Sequence, residues 1–236
     1  MRRRDFVKAC AIGAGCAGLA PASLLTDDTL RPRHYERVRL IDSSGEPLRL
    51  GDLERNRNYV FPYPYRATPA FLLDLGTAVA GERPLRTEAG EVYQSRHGVG
   101  PQRSVVAFSA ICAHKLAHPT PAVSYIHFRE ARGRGEPSTG VISCCAENSL
   151  YDPVAGGRVL DGPARQPLAG IILDYVAADD ELFAVGTLGG EMFDRFFSEF
   201  EARLTLEYPN GDAHEAVTGD VAIEPLTRFS NNVMSC

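Results

Sequence analysis

Short alternations of apolar and polar residues run through most of the chain. Arg37-Val38-Arg39-Leu40-Ile41-Asp42 nearly alternates and then breaks at Ser43-Ser44-Gly45-Glu46-Pro47, a strand followed by a turn. Similar β-type runs are Asn58-Tyr59-Val60-Phe61, Phe71-Leu72-Leu73-Asp74-Leu75, Val105-Val106-Ala107-Phe108, Gly140-Val141-Ile142, Ile171-Ile172-Leu173-Asp174-Tyr175-Val176 and Leu182-Phe183-Ala184-Val185. Many short strands separated by turn residues predict an all-β antiparallel sandwich. One stretch has a different period. Met192, Phe193, Phe196, Phe197, Phe200 and Leu204 recur at helical spacing over Glu191 to Leu204. That predicts one C-terminal amphipathic helix whose aromatic face packs on the sandwich. Tyr208-Pro209-Asn210-Gly211-Asp212 reads as a turn, Ala213 to Glu224 as a returning strand, and Arg129 to Pro137 as an exposed loop.

The chain has 236 residues, 44% hydrophobic and 23% charged, which places it among folded proteins of one large domain or one domain with an extension. A net charge of −5 argues against nucleic acid as a partner, which calls for a basic stripe. No apolar run is long enough for a clear transmembrane helix. The N-terminus does carry an address. Arg2-Arg3, Phe6 and Lys8 precede a mildly apolar Gly/Ala-rich run from Ala9 to Leu25, with Ala20-Pro21-Ala22 as a cleavage signature. This resembles a twin-arginine (Tat) export signal, which implies a periplasmic protein that folds before export. Membrane association is expected only if that signal stays uncleaved. Export leaves two uses for the four remaining cysteines, Cys112, Cys144, Cys145 and Cys236: disulfides, or ligands to a metal installed beforehand.

Two segments concentrate metal-binding chemistry. The first is Ile111-Cys112-Ala113-His114-Lys115-Leu116-Ala117-His118-Pro119, and the second is Ser143-Cys144-Cys145-Ala146-Glu147-Asn148-Ser149-Leu150-Tyr151-Asp152-Pro153. A Cys and a His two apart in a tight loop face one centre, and a second loop with Cys and a donor three residues on clasps it. Thiolate with imidazole or carboxylate suits iron–sulfur chemistry or tetrahedral zinc.

The paired loops resemble those of Rieske-type [2Fe–2S] proteins, with their Cys-x-His and Cys-x-x-His-Gly-Ser-x-Tyr motifs and a following Gly-Pro turn. Cys112 and His114 match the first loop and Cys144 the second. Ser149 and Tyr151 match the pair that hydrogen-bonds a bridging sulfide and a cysteine sulfur. Gly162-Pro163-Ala164 resembles the Pro loop, so Pro163 joins Ser149 and Tyr151 around the cofactor. The resemblance implies a Rieske-like β-sandwich with a small cluster-binding subdomain over residues 37–190, with cluster loops 111–119 and 143–153. Before it lie the Tat signal (1–25) and a lead-in (26–36), and after it a C-terminal helix and extension (191–236).

The departures define the open question. Glu147 stands where the family has its second His, and Asn148 where it has Gly. The family's loop-to-loop disulfide positions are Ala117 and Ala146. One reading makes Glu147 the fourth ligand, a carboxylate that adds negative charge and lowers the potential below the roughly −150 to +300 mV of two-His centres. A second gives that place to Cys145, Cys236 or His118. A third has the cluster lost. A Cys145–Cys236 bridge is compatible with the first and the third; vicinal Cys144 and Cys145 are a poor pair with each other. Lys115 is positioned to offset anionic charge or to meet an acidic partner.

The resemblance implies an electron-transfer protein or subunit of an oxidoreductase, with a [2Fe–2S] cluster and a cytochrome c or larger oxidoreductase subunit as redox partner. A stand-alone oxygenase is not expected, because His214 is the one histidine after Gly190. The alternative function is a cluster-free Rieske-fold interaction subunit of an exported enzyme complex.

Overall fold

The computed structural model describes residues 30–132 and 135–236. The segment resembling an export signal lies outside them. Fourteen strands and two helices follow in order: β1 (Arg33–Ile41), β2 (Tyr59–Pro62), β3 (Pro69–Asp74), β4 (Pro84–Arg86), β5 (Val92–Gln94), β6 (Val105–Ser109), β7 (Ile126–Arg129), β8 (Val141–Cys144), β9 (Ser149–Asp152), β10 (Arg158–Asp161), β11 (Gly170–Val176), β12 (Glu181–Leu188), α1 (Phe193–Glu207), β13 (Asp220–Ala222), β14 (Glu224–Pro225) and the single turn α2 (Leu226–Phe229). The fold is all-β with one long helix, the class that the sequence predicts.

Eight strands form the main sheet in the order β13-β1-β12-β11-β6-β3-β2-β14. Its two edge strands, β13 and β14, are neighbours in the chain, separated by Ile223 alone. The sheet therefore curls until its edges nearly meet, and its inner face encloses one core. The two-residue period decides which side chains go inside. Val38 and Leu40 of β1, Tyr59 and Phe61 of β2, Ala70 and Leu72 of β3, and Val105 and Ala107 of β6 join Leu182, Ala184 and Ile223 there. The intervening Val60, Phe71, Leu73, Val106 and Phe108 point the other way and pack under a second, smaller sheet. Strands β2, β3 and β6 are thus buried on both faces, which is why they read as continuous apolar runs while β1 alternates.

The smaller sheet is antiparallel, in the order β10-β9-β8-β7. It forms the subdomain that carries both motif loops. The first loop joins β6 to β7, and the second is the hairpin between β8 and β9.

Several local expectations change. The helix runs Phe193–Glu207, starting and ending later than its pattern. Its buried Phe193, Phe196, Phe197 and Leu204 share a cluster with Ile111 and Leu116 of the first loop. The return over Ala213 to Glu224 is mostly irregular, with a 3-10 turn at Asp212–His214 and a three-residue strand Asp220–Ala222, because Val217 and Val221 only need to cover the sheet's inner edge. Strand β7 reaches Arg129, and the exposed stretch after it is anchored by a two-pronged Arg129–Glu136 pair at 2.7 and 2.9 Å. Strands β4, β5, β7, β9 and β10 were not marked by the apolar pattern, since each is three or four residues long and most carry polar residues.

The C-terminal segment straps the subdomain. Ser230 Oγ donates to Thr120 O at 2.7 Å, Asn231 N to Pro121 O at 2.8 Å, Ser124 N to Asn232 O at 2.8 Å and Met234 N to Ser124 O at 2.9 Å. A Cys145–Cys236 disulfide, Cα–Cα 5.4 Å, fixes this strap to the second loop. The bond closes a separation of 91 residues, so its loss frees a large unfolded loop. Replacing Cys145 and Cys236 by Ser is expected to lower unfolding stability by about 2–4 kcal/mol, read as a lower urea midpoint with a steeper slope, because the freed loop exposes more surface on unfolding.

Where β1 begins beside the end of β12, the Glu191 carboxyl is buried beside Arg33 at 3.0 Å, with the Tyr35 hydroxyl at 3.4 Å and Thr187 against it. Burial outweighs the pull of Arg33 and pushes this carboxyl up to about 7. The fold thus favours the protonated form, whereas the unfolded chain releases that proton near its ordinary value of 4.5. This contribution to stability is complete below about pH 4.5 and is lost as pH rises through about 7. Glu191→Gln is expected to flatten the fall in Tm across that window, and an unchanged pH profile by scanning calorimetry would refute the assignment.

Candidate metal centre

The second motif loop is a four-residue hairpin turn. Cys144, the last residue of β8, pairs directly with Ser149, the first of β9. Ser149 and Tyr151 stand two apart on β9 and therefore share a face. Asn148 takes the left-handed conformation at φ 57°, a geometry that Asn tolerates better than most residues. The first loop folds back on itself: Leu116 N donates to Cys112 O at 3.0 Å and Cys112 N to Ala117 O at 2.9 Å, with Leu116 also left-handed at φ 57°.

Tyr151 joins the two loops. Its hydroxyl accepts from Ala113 N–H at 3.2 Å and lies 3.3 Å from Cys112 Sγ. Cys112 and Cys144 are free, buried thiols within hydrogen-bonding reach of each other. That contact, with help from Tyr151, holds Cys112 below the ordinary thiol range, while the same contact and burial push Cys144 up. Burial first, then the nearby Cys112, pushes the Tyr151 phenol up as well. The pair therefore gives up one proton readily and keeps the other, and Tyr151 remains a neutral donor.

The other two sequence-identified donors form their own pair nearer solvent. Glu147 Oε2 lies 3.4 Å from His114 Nδ1, and Lys115 Nζ lies 3.6 Å from Glu147 Oε1. The His114–Glu147 approach has ion-pair distance without hydrogen-bond alignment, so His114 Nδ1 is buried with no hydrogen-bond partner. Ser149 Oγ is equally orphaned, in a residue that is 1% exposed. A buried hydroxyl without an acceptor costs about 1–3 kcal/mol and calls for a partner the protein does not supply.

Among the described residues, no three His, Cys, Asp or Glu side chains converge on one point suited to a single metal ion. Four donors at a mononuclear tetrahedral zinc would have to meet. A two-iron cluster asks for something else, two ligands at each of two irons, and the chain presents one thiol pair and one imidazole–carboxylate pair. The donor set, the orphaned Ser149 hydroxyl and the orphaned His114 nitrogen fit a binuclear cluster.

The alternative fourth ligands go elsewhere. Cys145 and Cys236 are consumed by their disulfide. The His118 ring stacks edge-on against Phe196 and Phe200 at 4.9 and 4.8 Å, and its Nδ1 bonds Leu116 O at 2.8 Å. It belongs to the core under α1, because the left-handed Leu116 turns the chain away from the thiols. Pro163 is exposed, and its neighbour Gly162 makes the close approach instead. A Cβ on Gly162 would sit 2.4 Å from Asn148 O and 2.6 Å from Ser149 Cα, at φ 89°, so only glycine lets this third loop touch the second. Sequence motifs missed Arg195 of α1, whose Nη2 donates to His114 O at 3.1 Å. No local signal marks it, since it lies 81 residues from His114.

No family model matches the chain. The chain is similar to iodate reductase subunit IdrB of Denitromonas iodatirespirans, 25% identical over 192 residues that cover 80% of this chain and 82% of the relative. Among solved structures it is similar to the soluble domain of the Rieske protein II (soxF) from Sulfolobus acidocaldarius, at 26% identity and a TM-score of 0.45, covering 65% of this chain and 78% of that one.

Two substitutions separate the roles of the β9 pair. In metal-free protein, Tyr151→Phe leaves the buried Ala113 N–H unpaired and is expected to cost about 1–3 kcal/mol of unfolding free energy. Ser149→Ala removes a hydroxyl that has no partner and is expected to be neutral or slightly stabilising. Equal losses in chemical denaturation would mean that Ser149 is already bonded within the protein.

Proposed function

We propose that the protein is a Rieske-type [2Fe–2S] electron-transfer subunit of an exported oxidoreductase. The observation that carries this reading is the sorting of four donors into two pairs beside an orphaned, buried Ser149 hydroxyl. Cys112 and Cys144 would hold one iron, and His114 and Glu147 the other. The cluster, when bound, supplies reversible one-electron chemistry.

The chain's own residues prepare the site for it. Tyr151 directs a neutral O–H at Cys112 Sγ, and Ser149 offers a second O–H, both of which stabilise added negative charge. Glu147 in place of imidazole acts in the opposite sense. The pair His114 and Glu147 is the more exposed one, at side-chain exposures of 25% and 46%, and so faces an incoming partner. Electrons enter and leave on that side through close docking.

The similarity to a subunit of iodate reductase supports a larger oxidoreductase subunit as the partner, with a cytochrome c as the other candidate; neither nucleic acid nor a membrane is part of the reading. The twin-arginine segment supports a periplasmic location. The Cys145–Cys236 disulfide supports it too, because such bonds persist in oxidising compartments.

A cluster-free interaction subunit is the second reading. The observation that favours it is the Glu147 carboxylate, already engaged by Lys115 where a neutral ligand would be expected. Protein made with its assembly machinery distinguishes the two. The cluster reading expects brown protein with about two iron and two sulfide per chain and an EPR signal on dithionite reduction. Glu147→Gln is then expected to abolish or strongly shift that signal. Colourless protein that folds equally well without iron would replace this reading with the structural one.

A further inference from the structure

Helix α1 follows the stretch that resembles the Rieske family, yet it touches the first motif loop at three levels. Leu116 is buried in the cluster formed by Phe193, Phe196, Phe197 and Leu204. The His118 ring is fixed against Phe196 and Phe200. Arg195, on the polar side of the same helix turn, donates to the backbone carbonyl of His114. The apolar contacts set where the loop sits as a body. The Arg195 contact acts on the peptide of one residue, the candidate ligand whose ring nitrogen is left without a hydrogen-bond partner.

We propose that Arg195 is a positioning residue for His114. It anchors the His114 carbonyl and thereby fixes the direction in which the imidazole leaves the loop, toward Glu147. It also places a permanent cation beside a pair that carries an extra carboxylate. Three charged side chains face this corner: Arg195 from α1, Lys115 from the first loop and Glu147 from the second, with Asp194 next to Arg195 on the helix. Lys115 meets Glu147 side chain to side chain, at 3.6 Å and half exposed. Arg195 is different in kind, because its contact is with backbone and holds geometry as well as charge. A guanidinium has several donors in a rigid plane and remains charged at any relevant pH. This inference rests on the cluster reading for its redox consequence, and on the loop contact alone for its positioning role.

The test uses the full chain with Arg195→Gln and Arg195→Lys. Hydrogen exchange of the metal-free protein reads positioning through the amides of Cys112 and Leu116, which close the first loop. Loss of one net hydrogen bond predicts about three- to tenfold faster exchange there in Arg195→Gln, with unchanged rates in β11. Where the cluster is present, EPR-monitored titration is expected to give a lower midpoint potential in Arg195→Gln and a value nearer the parent in Arg195→Lys. Unchanged exchange at Cys112 and Leu116 overturns the inference, and so does equal acceleration in β11, which marks general destabilisation. An unchanged midpoint in iron-loaded Arg195→Gln also overturns it. Protein that never binds iron but shows the local acceleration ends the cluster reading and leaves Arg195 as the residue that positions His114.

Discussion

The candidate centre depends on one buried hydroxyl. Tyr151 takes a hydrogen bond from the Ala113 amide and shares another with Cys112 sulfur, so a residue of the second sheet holds the first loop. The geometry is set by strand pairing. Because β8 and β9 are in register at Cys144 and Ser149, Tyr151 must project from the same face as Ser149, toward the thiols. A slip of one residue would turn Ser149 and Tyr151 away together. The outer faces of β3 and β6 lie under this subdomain, and Phe71 and Phe108 fill the space beneath the thiols' cluster. The curled main sheet therefore serves as the platform on which two loops from different connections meet.

Charge is distributed unevenly across the centre. The thiol pair is buried and surrounded by neutral donors, whereas the imidazole–carboxylate pair is partly exposed and flanked by Lys115 and Arg195. A carboxylate in place of a neutral ring would leave a net negative charge near solvent. The two cations reduce that charge locally while keeping it accessible. The C-terminal disulfide has a parallel role in the backbone. It ties the second loop to the strap and not to the first loop.

The strands of the main sheet were legible because burial of one or both faces leaves a direct trace in the apolar pattern. The aromatic face of α1 was legible for the same reason, through its spacing of three and four. Strands β4, β5, β7, β9 and β10 were not, because their pairing is set by neighbours and not by their own composition. The candidate ligands were legible as an ordered pair of motifs around Cys112, His114, Cys144, Glu147, Ser149 and Tyr151. The Cys145–Cys236 pairing was legible as one option among others, and two features were not legible at all: the burial of His118 under α1 and the Arg195 contact. Each depends on which distant segments the fold brings together. The two-residue interval that carried the motifs has no counterpart over separations of 81 or 91 residues.

The near-closure of the main sheet has a consequence for the order of folding. Its seam consists of β13 and β14, on either side of Ile223, while the edges they cover belong to β1 and β2. Until those late residues arrive, both early strands expose unpaired backbone groups, the kind of surface that recruits other chains. Both early strands gain their outer partners only once about residue 225 is in place, and contacts of such long sequence range form slowly. The last two strands therefore complete the cover of the first two.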